Sequence, residues 1–151
     1  MNHFSIPTLT DEGFLPPGLH DCSVEEIVEV FGSFTSTDRR VNLFHELRSY
    51  ILDALGTGLV ASIIVDGSFV TGADYPNDID VVVVVKSGLE VGRELRPSDY
   101  NILSRRIVRK RHRIDILVAR ENGSELTEYL QFFSQVRGRP ELKKGMLRVF
   151  A

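Results

Sequence analysis

Two uninterrupted apolar runs stand close together near the middle of the chain. Ser62 to Val65 ends abruptly in Asp66-Gly67-Ser68, and nine residues separate Ser68 from Asp78-Ile79-Asp80, which opens a run of five valines. Short apolar runs bounded by Gly, Pro and Asn read as buried strands. RIDILVA at 113–119 reads the same way, and MLRVF near the end reads as a short last strand. Elsewhere the spacing is helical. Ser23-Val24-Glu25-Glu26 is a capping box, followed by Ile27, Val30 and Phe31 at i, i+3, i+4 and a stop at Gly32. A longer helix is expected from Asp38 to Leu55, ending at Gly56. Its apolar stripe is Val41, Phe44, Leu47 or Arg48, Ile51 and Leu55, with Arg39, Arg40 and Arg48 on the solvated side, from which Arg40 alternatively reaches a triphosphate.

Lys86 to Pro97 reads as a connecting loop. Helical signals return at Ser98 or Asp99, with Tyr100, Leu103 and Ile107 on one face. A last helix follows the turn Asn122-Gly123, capped by Ser124, presenting Leu126, Tyr129, Leu130 and Phe133, and ended by Gly138 and Pro140. Met1 to His20 has prolines at 7, 16 and 17 and reads as an extended arm. Its Phe4, Ile6, Leu9, Phe14 and Leu15 are apolar enough to lie across the body, and His3 and His20 read as structural. The whole predicts one α/β (α+β) domain over 1–151, with an arm at 1–22. Its sheet is expected to be mixed, mostly antiparallel, of three to five strands, and flanked by helices.

Composition narrows the function classes. A chain of 151 residues with 42% hydrophobic and 26% charged positions is ordinary for a globular domain. Its net charge of −3 gives no global attraction to nucleic acid, so any such binding needs a local patch. The single cysteine, Cys22, cannot form an internal disulfide. No apolar run approaches the ~20 residues of a membrane span, and the first residues carry neither a basic start nor an apolar signal core. A cytoplasmic protein without membrane contact is expected.

The chemistry concentrates at the two central runs. In a strand, alternate side chains share a face, so Asp78 and Asp80 project together. Paired carboxylates at a strand mouth call for a cation, most economically a divalent metal with oxygen ligands such as magnesium. Gly67 removes a Cβ where a phosphate would approach, and Ser68 adds a hydroxyl donor. Asp115, flanked by Ile114 and Ile116, adds a third carboxylate, a set suited to a metal pair in phosphoryl transfer. Asp66 and Asp74 read as turn or capping residues, Pro76 and Asn77 as turn chemistry. Tyr75 reads as base-stacking or simply packed, and His45 as a satisfied helix histidine. Arg105, Arg106, Arg109, Lys110, Arg111 and Arg113 place six cations in nine positions. That run either steers a polyanion toward the carboxylates or forms a solvated face. Lys143 or Lys144 contacts a triphosphate, or both face solvent.

Gly67-Ser68, Asp78-Ile79-Asp80 and Asp115 together resemble the DNA polymerase β-type nucleotidyltransferase superfamily, and in compactness its minimal bacterial and archaeal members. The likeness covers about 60–119, the expected catalytic core. It implies a nucleotidyltransferase-like fold and transfer of a nucleoside monophosphate from a nucleoside triphosphate such as ATP to a hydroxyl. The acceptor would be an RNA or tRNA end, a protein or a small molecule. It implies two magnesium ions on Asp78, Asp80 and Asp115, the last also orienting or deprotonating the acceptor. Gly67 and Ser68 would grip the phosphates, and Lys144 is the further nucleotide-binding candidate. Many minimal members carry Ala-Arg-Gly after Gly-Ser, where this chain has Phe69-Val70-Thr71-Gly72.

A second likeness runs the whole length, through Ile6-Pro7, Gly13 to Gly18, His20, Arg39-Arg40, GSFVT, PNDIDVV and Lys144-Gly145. It resembles a family of short bacterial and phage-borne proteins grouped with the nucleotidyltransferases. The competing expectation is a catalytically silent nucleotide- or partner-binding regulator of the same fold, such as a toxin–antitoxin or phage-defence component.

Overall fold

A computed structural model describes residues 6–32, 38–88 and 95–151. His3, Phe4 and part of the 86–97 connection lie outside these. The fold is mixed α/β. In chain order the elements are β1 (Gly18–Asp21), α1 (Val24–Phe31), α2 (Arg39–Gly56), β2 (Val60–Asp66), a 3-10 turn (Ser68–Val70) and β3 (Asp80–Val85). There follow α3 (Pro97–Leu103), α4 (Arg105–His112), β4 (Asp115–Arg120), α5 (Ser124–Phe133), β5 (Gln135–Val136), β6 (Arg139–Lys143) and β7 (Gly145–Phe150).

Five strands form one sheet in the order β1-β7-β2-β3-β4, and β5-β6 form a separate hairpin. The expected antiparallel majority is not found: β7-β2 and β2-β3 are antiparallel, but β1-β7 and β3-β4 are parallel. The parallel pairs arise because the arm joins the sheet at its edge and because α3 and α4 form a crossover from β3 to β4. Both sheet faces are covered, which is why the valine run of β3 reads as continuously apolar. Ile63, Val65, Val81, Val83, Ile116 and Leu147 belong to the main core beneath the helices before β4, and Ile64, Val82, Val84, Ala119 and Met146 meet α5. From the arm, Leu15 is 1% exposed, and Ile6 and Leu9 pack on the main core. His20 contacts the Pro16 carbonyl through Nε2 at 2.6 Å.

The capping box at Ser23 and Glu26 forms as the spacing predicts. The inward face of α2 is different. Phe44, Leu47 and Ile51 are buried as expected, but so are Arg40, Tyr50 and Ala54, while Val41 is 42% exposed. Arg40, expected in solvent, is fully buried. Its Nη1 donates to the carbonyls of Phe31 (3.1 Å) and Phe69 (2.7 Å), and its Nη2 to those of Thr71 (2.8 Å) and Ala73. The guanidinium also lies 5.5 Å from the Phe69 ring centroid. Burial pulls its pKa below the usual arginine range and Asp74 opposes that. Arg39 is exposed but bonded, donating to the Pro76 carbonyl (2.5 Å) and Asn77 Oδ1 (2.6 Å).

The single helix expected after Pro97 is two. Ser104 is extended, closes α3 and caps α4, its Oγ accepting from the Ile107 amide. The buried side chains are then Asp99, Ile102, Val108 and His112, with Tyr100 48% exposed. Tyr50 ties α2 to this pair, its hydroxyl donating to the Ile102 carbonyl at 2.7 Å. At α5, Gly123 holds the cap position and Ser124 is the first helical residue, without a side-chain cap bond. Gly138 and Pro140 belong to the β5-β6 hairpin, with Gly138 at φ 76°. Among the described residues no helix is long and apolar enough to cross a membrane.

Candidate active site

Register decides which carboxylates meet. In the β2-β3 pair Asp66 lies opposite Asp80, and in the β3-β4 pair Asp80 lies opposite Asp115. Alternation puts all three on the α5 face, in line with Ile64, Val82 and Ala119. Asp78, just before β3, reaches the same place from the loop. The chain therefore gathers four carboxylates where the sequence reading counted three, and the addition is Asp66. It is a 3%-exposed strand residue, not a turn residue.

Each member has a different partner. Lys144 Nζ lies 3.1 Å from both oxygens of Asp66. Burial pushes the Asp66 carboxyl up, while Lys144 and the Gly67 amide pull it down without cancelling the rise. Burial also pushes Asp78 up, but hydrogen bonds from the Ser68 hydroxyl, the Ser68 amide (3.0 Å) and Asp80 outweigh it, so Asp78 is held below the usual carboxylate range. Asp80 is raised to about 6, by burial first and then by Asp78, Asp66 and Asp115. Asp78 and Asp80, hydrogen-bonded to each other, are thus pushed in opposite directions, Asp78 down and Asp80 up. Asp115 is half-exposed and ion-paired with Arg109 of α4.

The turn between β2 and the 3-10 segment locks this arrangement. Gly67 has φ 96° and ψ 177°, a region open in practice only to glycine. A Cβ there would stand 2.8 Å from the Asp78 carbonyl oxygen and 3.0 Å from the Asp80 nitrogen. Gly67→Ala is expected to cost about 2 kcal/mol by urea unfolding, because both the dihedral and the contact are violated. Ser68 Oγ accepts from the amides of Asn77 (2.9 Å) and Asp78 (3.1 Å) while donating to Asp78. The Phe69 amide donates to the Asp78 carbonyl at 3.2 Å. The donors expected to face phosphates are held by the chain's own acidic loop.

A cavity of about 900 Å³ opens over the row. Asp66, Asp78 and Asp80 line one side, and the α5 end and the β5-β6 hairpin supply Phe132, Arg137 and Lys143. Among the described residues, no group of three or more His, Cys, Asp or Glu side chains is close enough to form a ready-made metal cage. His45 and Tyr75 are exposed, and neither lines this cavity. The six cations at 105–113 are all exposed.

Arg40 and Asp66 are the two residues here that sequence reasoning missed. Both had a signal in their spacing. Arg40 continues the stripe Phe44, Leu47, Ile51 one turn back, and Asp66 continues Ser62, Ile64 along β2.

Over residues 7–150 the chain matches the family described as Family of unknown function (DUF6932), and it belongs to that family. No curated protein matches it, and no solved structure does.

Proposed function

We propose that this site is that of a magnesium-dependent nucleotidyltransferase, moving a nucleoside monophosphate from a nucleoside triphosphate to a hydroxyl. The observation that carries the reading is the register row Asp66, Asp80, Asp115 with Asp78 hooked beside it. Four carboxylates on one sheet end, with Lys144 and Arg109 as their only cationic partners among the described residues, hold more negative charge than the site neutralises. Burial first, and then this surplus negative charge, raises the Asp80 carboxyl to about 6. An all-oxygen donor set with surplus charge fits magnesium.

Asp78 and Asp80 would hold the metal, with Asp115 completing the set once it leaves Arg109. The bound ions would neutralise charge on the transferring phosphoryl group and on pyrophosphate. Ser68 fixes the Asp78 carboxylate, so its lone pairs are aimed before substrate arrives. Lys144 supplies a point charge at the cavity for the leaving phosphates. Asp115 orients, or takes the proton of, the acceptor hydroxyl. The apolar wall at Phe132 and Phe133 limits water around the nucleoside. A single buried cysteine, its pKa pushed up to about 12 chiefly by burial, is consistent with a cytoplasmic setting and excludes Cys22 as a nucleophile.

The test is transfer of label from each α-labelled nucleoside triphosphate to RNA, protein and small-molecule fractions. Wild type is expected to label one fraction from one nucleotide, and Asp78→Ala none, with the melting curve unchanged in shape. Equal labelling by both would sink the reading.

A second reading has its own observation. The turn's donors are engaged by Asp66 and Asp78, and Asp115 by Arg109, as in a protein that binds without turning over. For such a regulator, calorimetry would show nucleotide binding with no pyrophosphate released.

A further inference from the structure

A second cavity, of about 830 Å³, lies between α2 and the end of α4, on the sheet face opposite the acidic row. Arg39, Lys110, Arg111 and Arg113 line it together with His45 and His112. Its one carboxylate, Glu46, is hydrogen-bonded to His112 Nδ1 at 3.2 Å. Among the described residues Lys110, Arg111 and Arg113 make no ion pair. A chain with a net charge of −3 therefore concentrates positive charge in one concave place.

The backbone adds an independent observation. Arg113 closes α4 in the left-handed region, at φ 58° and ψ 33°. That position normally falls to glycine, because an L side chain is strained there. An arginine standing at such a position is a backbone outlier of the kind that clusters at functional sites.

The groove also leads to the acidic row. Asn77 lines it one residue before Asp78, and Arg113 lies two residues before Asp115. Arg109 already reaches from α4 to Asp115 at this end of the sheet.

We propose that this groove binds a single-stranded nucleic acid by its phosphates and delivers the strand's terminal hydroxyl to the acidic row. The delivery rests on the nucleotidyltransferase reading; the binding does not. Arginine forks match phosphate oxygens in pairs, whereas among the described residues no Phe, Tyr or Trp lines the groove to stack bases, and His112 is buried and bonded to Glu46. Contact is therefore to the backbone, and binding is insensitive to sequence.

The experiment is fluorescence anisotropy of labelled single-stranded RNA and DNA of one mixed sequence. It uses the full chain without nucleotide or metal, across a potassium chloride series. The logarithm of affinity is expected to fall against the logarithm of salt with a slope of about −2 to −3, from about −0.7 for each of three or four phosphates. Arg113→Gly and Lys110→Ala should each remove about 0.7 from that slope and weaken low-salt binding several-fold. Arg113→Gly should melt no lower than wild type, since glycine is at ease at this dihedral.

A preference between the two labelled strands identifies RNA or DNA as the ligand. Three results would overturn the groove: no binding of either strand at low salt, binding untouched by both variants, or equal displacement by polyaspartate. If strands bind as expected but no label is transferred, the groove stands and the enzymatic reading falls.

Discussion

Asp80→Asn is expected to lower nucleotidyl transfer by about 10³-fold or more while leaving the fold intact, the loss typical of removing a preorganised electrostatic contact in a charged transition state. Stability moves the other way. Asp80 has its pKa raised to about 6 in the folded chain, from the 3.8 of a free aspartate side chain. Between those values the native state holds more protons than the unfolded chain, so stability falls as pH rises through that window and then levels off. Asparagine cannot ionise and escapes the loss. The variant should therefore melt higher than wild type at pH 8 and show no such gain at pH 4.

Magnesium reverses the order. It should raise the wild-type melting temperature by mass action at pH 8 and leave Asp80→Asn nearly unmoved. Activity should show an acid limb, where protons compete with magnesium for Asp80. A variant that melts higher yet transfers normally would detach Asp80 from the chemistry. A variant that melts lower would mean the row is not under repulsion.

The divergence between site and scaffold follows the kind of information each requires. Apolar runs, caps and glycine stops are local, so β2, β3, β4, β7, α1 and α2 were legible from spacing. Asp78, Asp80 and Asp115 stood out as candidates because carboxylates bordering valine and isoleucine runs conflict with their surroundings, and the strand register brings Asp80 and Asp115 side by side. Asp66 was not. Its burial comes from facing Asp80 across β2-β3, and that registration depends on the length of the intervening loop and on the Gly67 dihedral. The β5-β6 hairpin was hidden for a different reason: its residues are polar and exposed, so no alternation marks them. Ser104 shows the same limit at smaller scale. One extended residue splits a helical pattern, and turns the buried face from Tyr100 to Ile102 and Val108.

Arg40→Met is expected to be the most destabilising single change, by about 3–5 kcal/mol, because it removes the charged partner from a buried hydrogen-bonded set. The carbonyls of Phe31, Phe69, Thr71 and Ala73 converge on one guanidinium, and unpaired buried acceptors carry a desolvation penalty of about 1–3 kcal/mol each. The penalties do not add fully, since Thr71 and Ala73 are near enough to solvent for water to replace part of the loss. Methionine preserves the apolar stem, so the measurement isolates the head group. Arg40→Lys should recover less than half, because one ammonium nitrogen cannot span acceptors that a planar fork reaches from two. Set against the 5–15 kcal/mol typical of a domain, the loss should be plain in urea unfolding. It should also reach the site, because those carbonyls fix the loop that follows Ser68 and so the hook on Asp78. A loss below about 1 kcal/mol would show that water serves these carbonyls as well as the arginine does, and that the Gly-Ser turn holds its shape unaided.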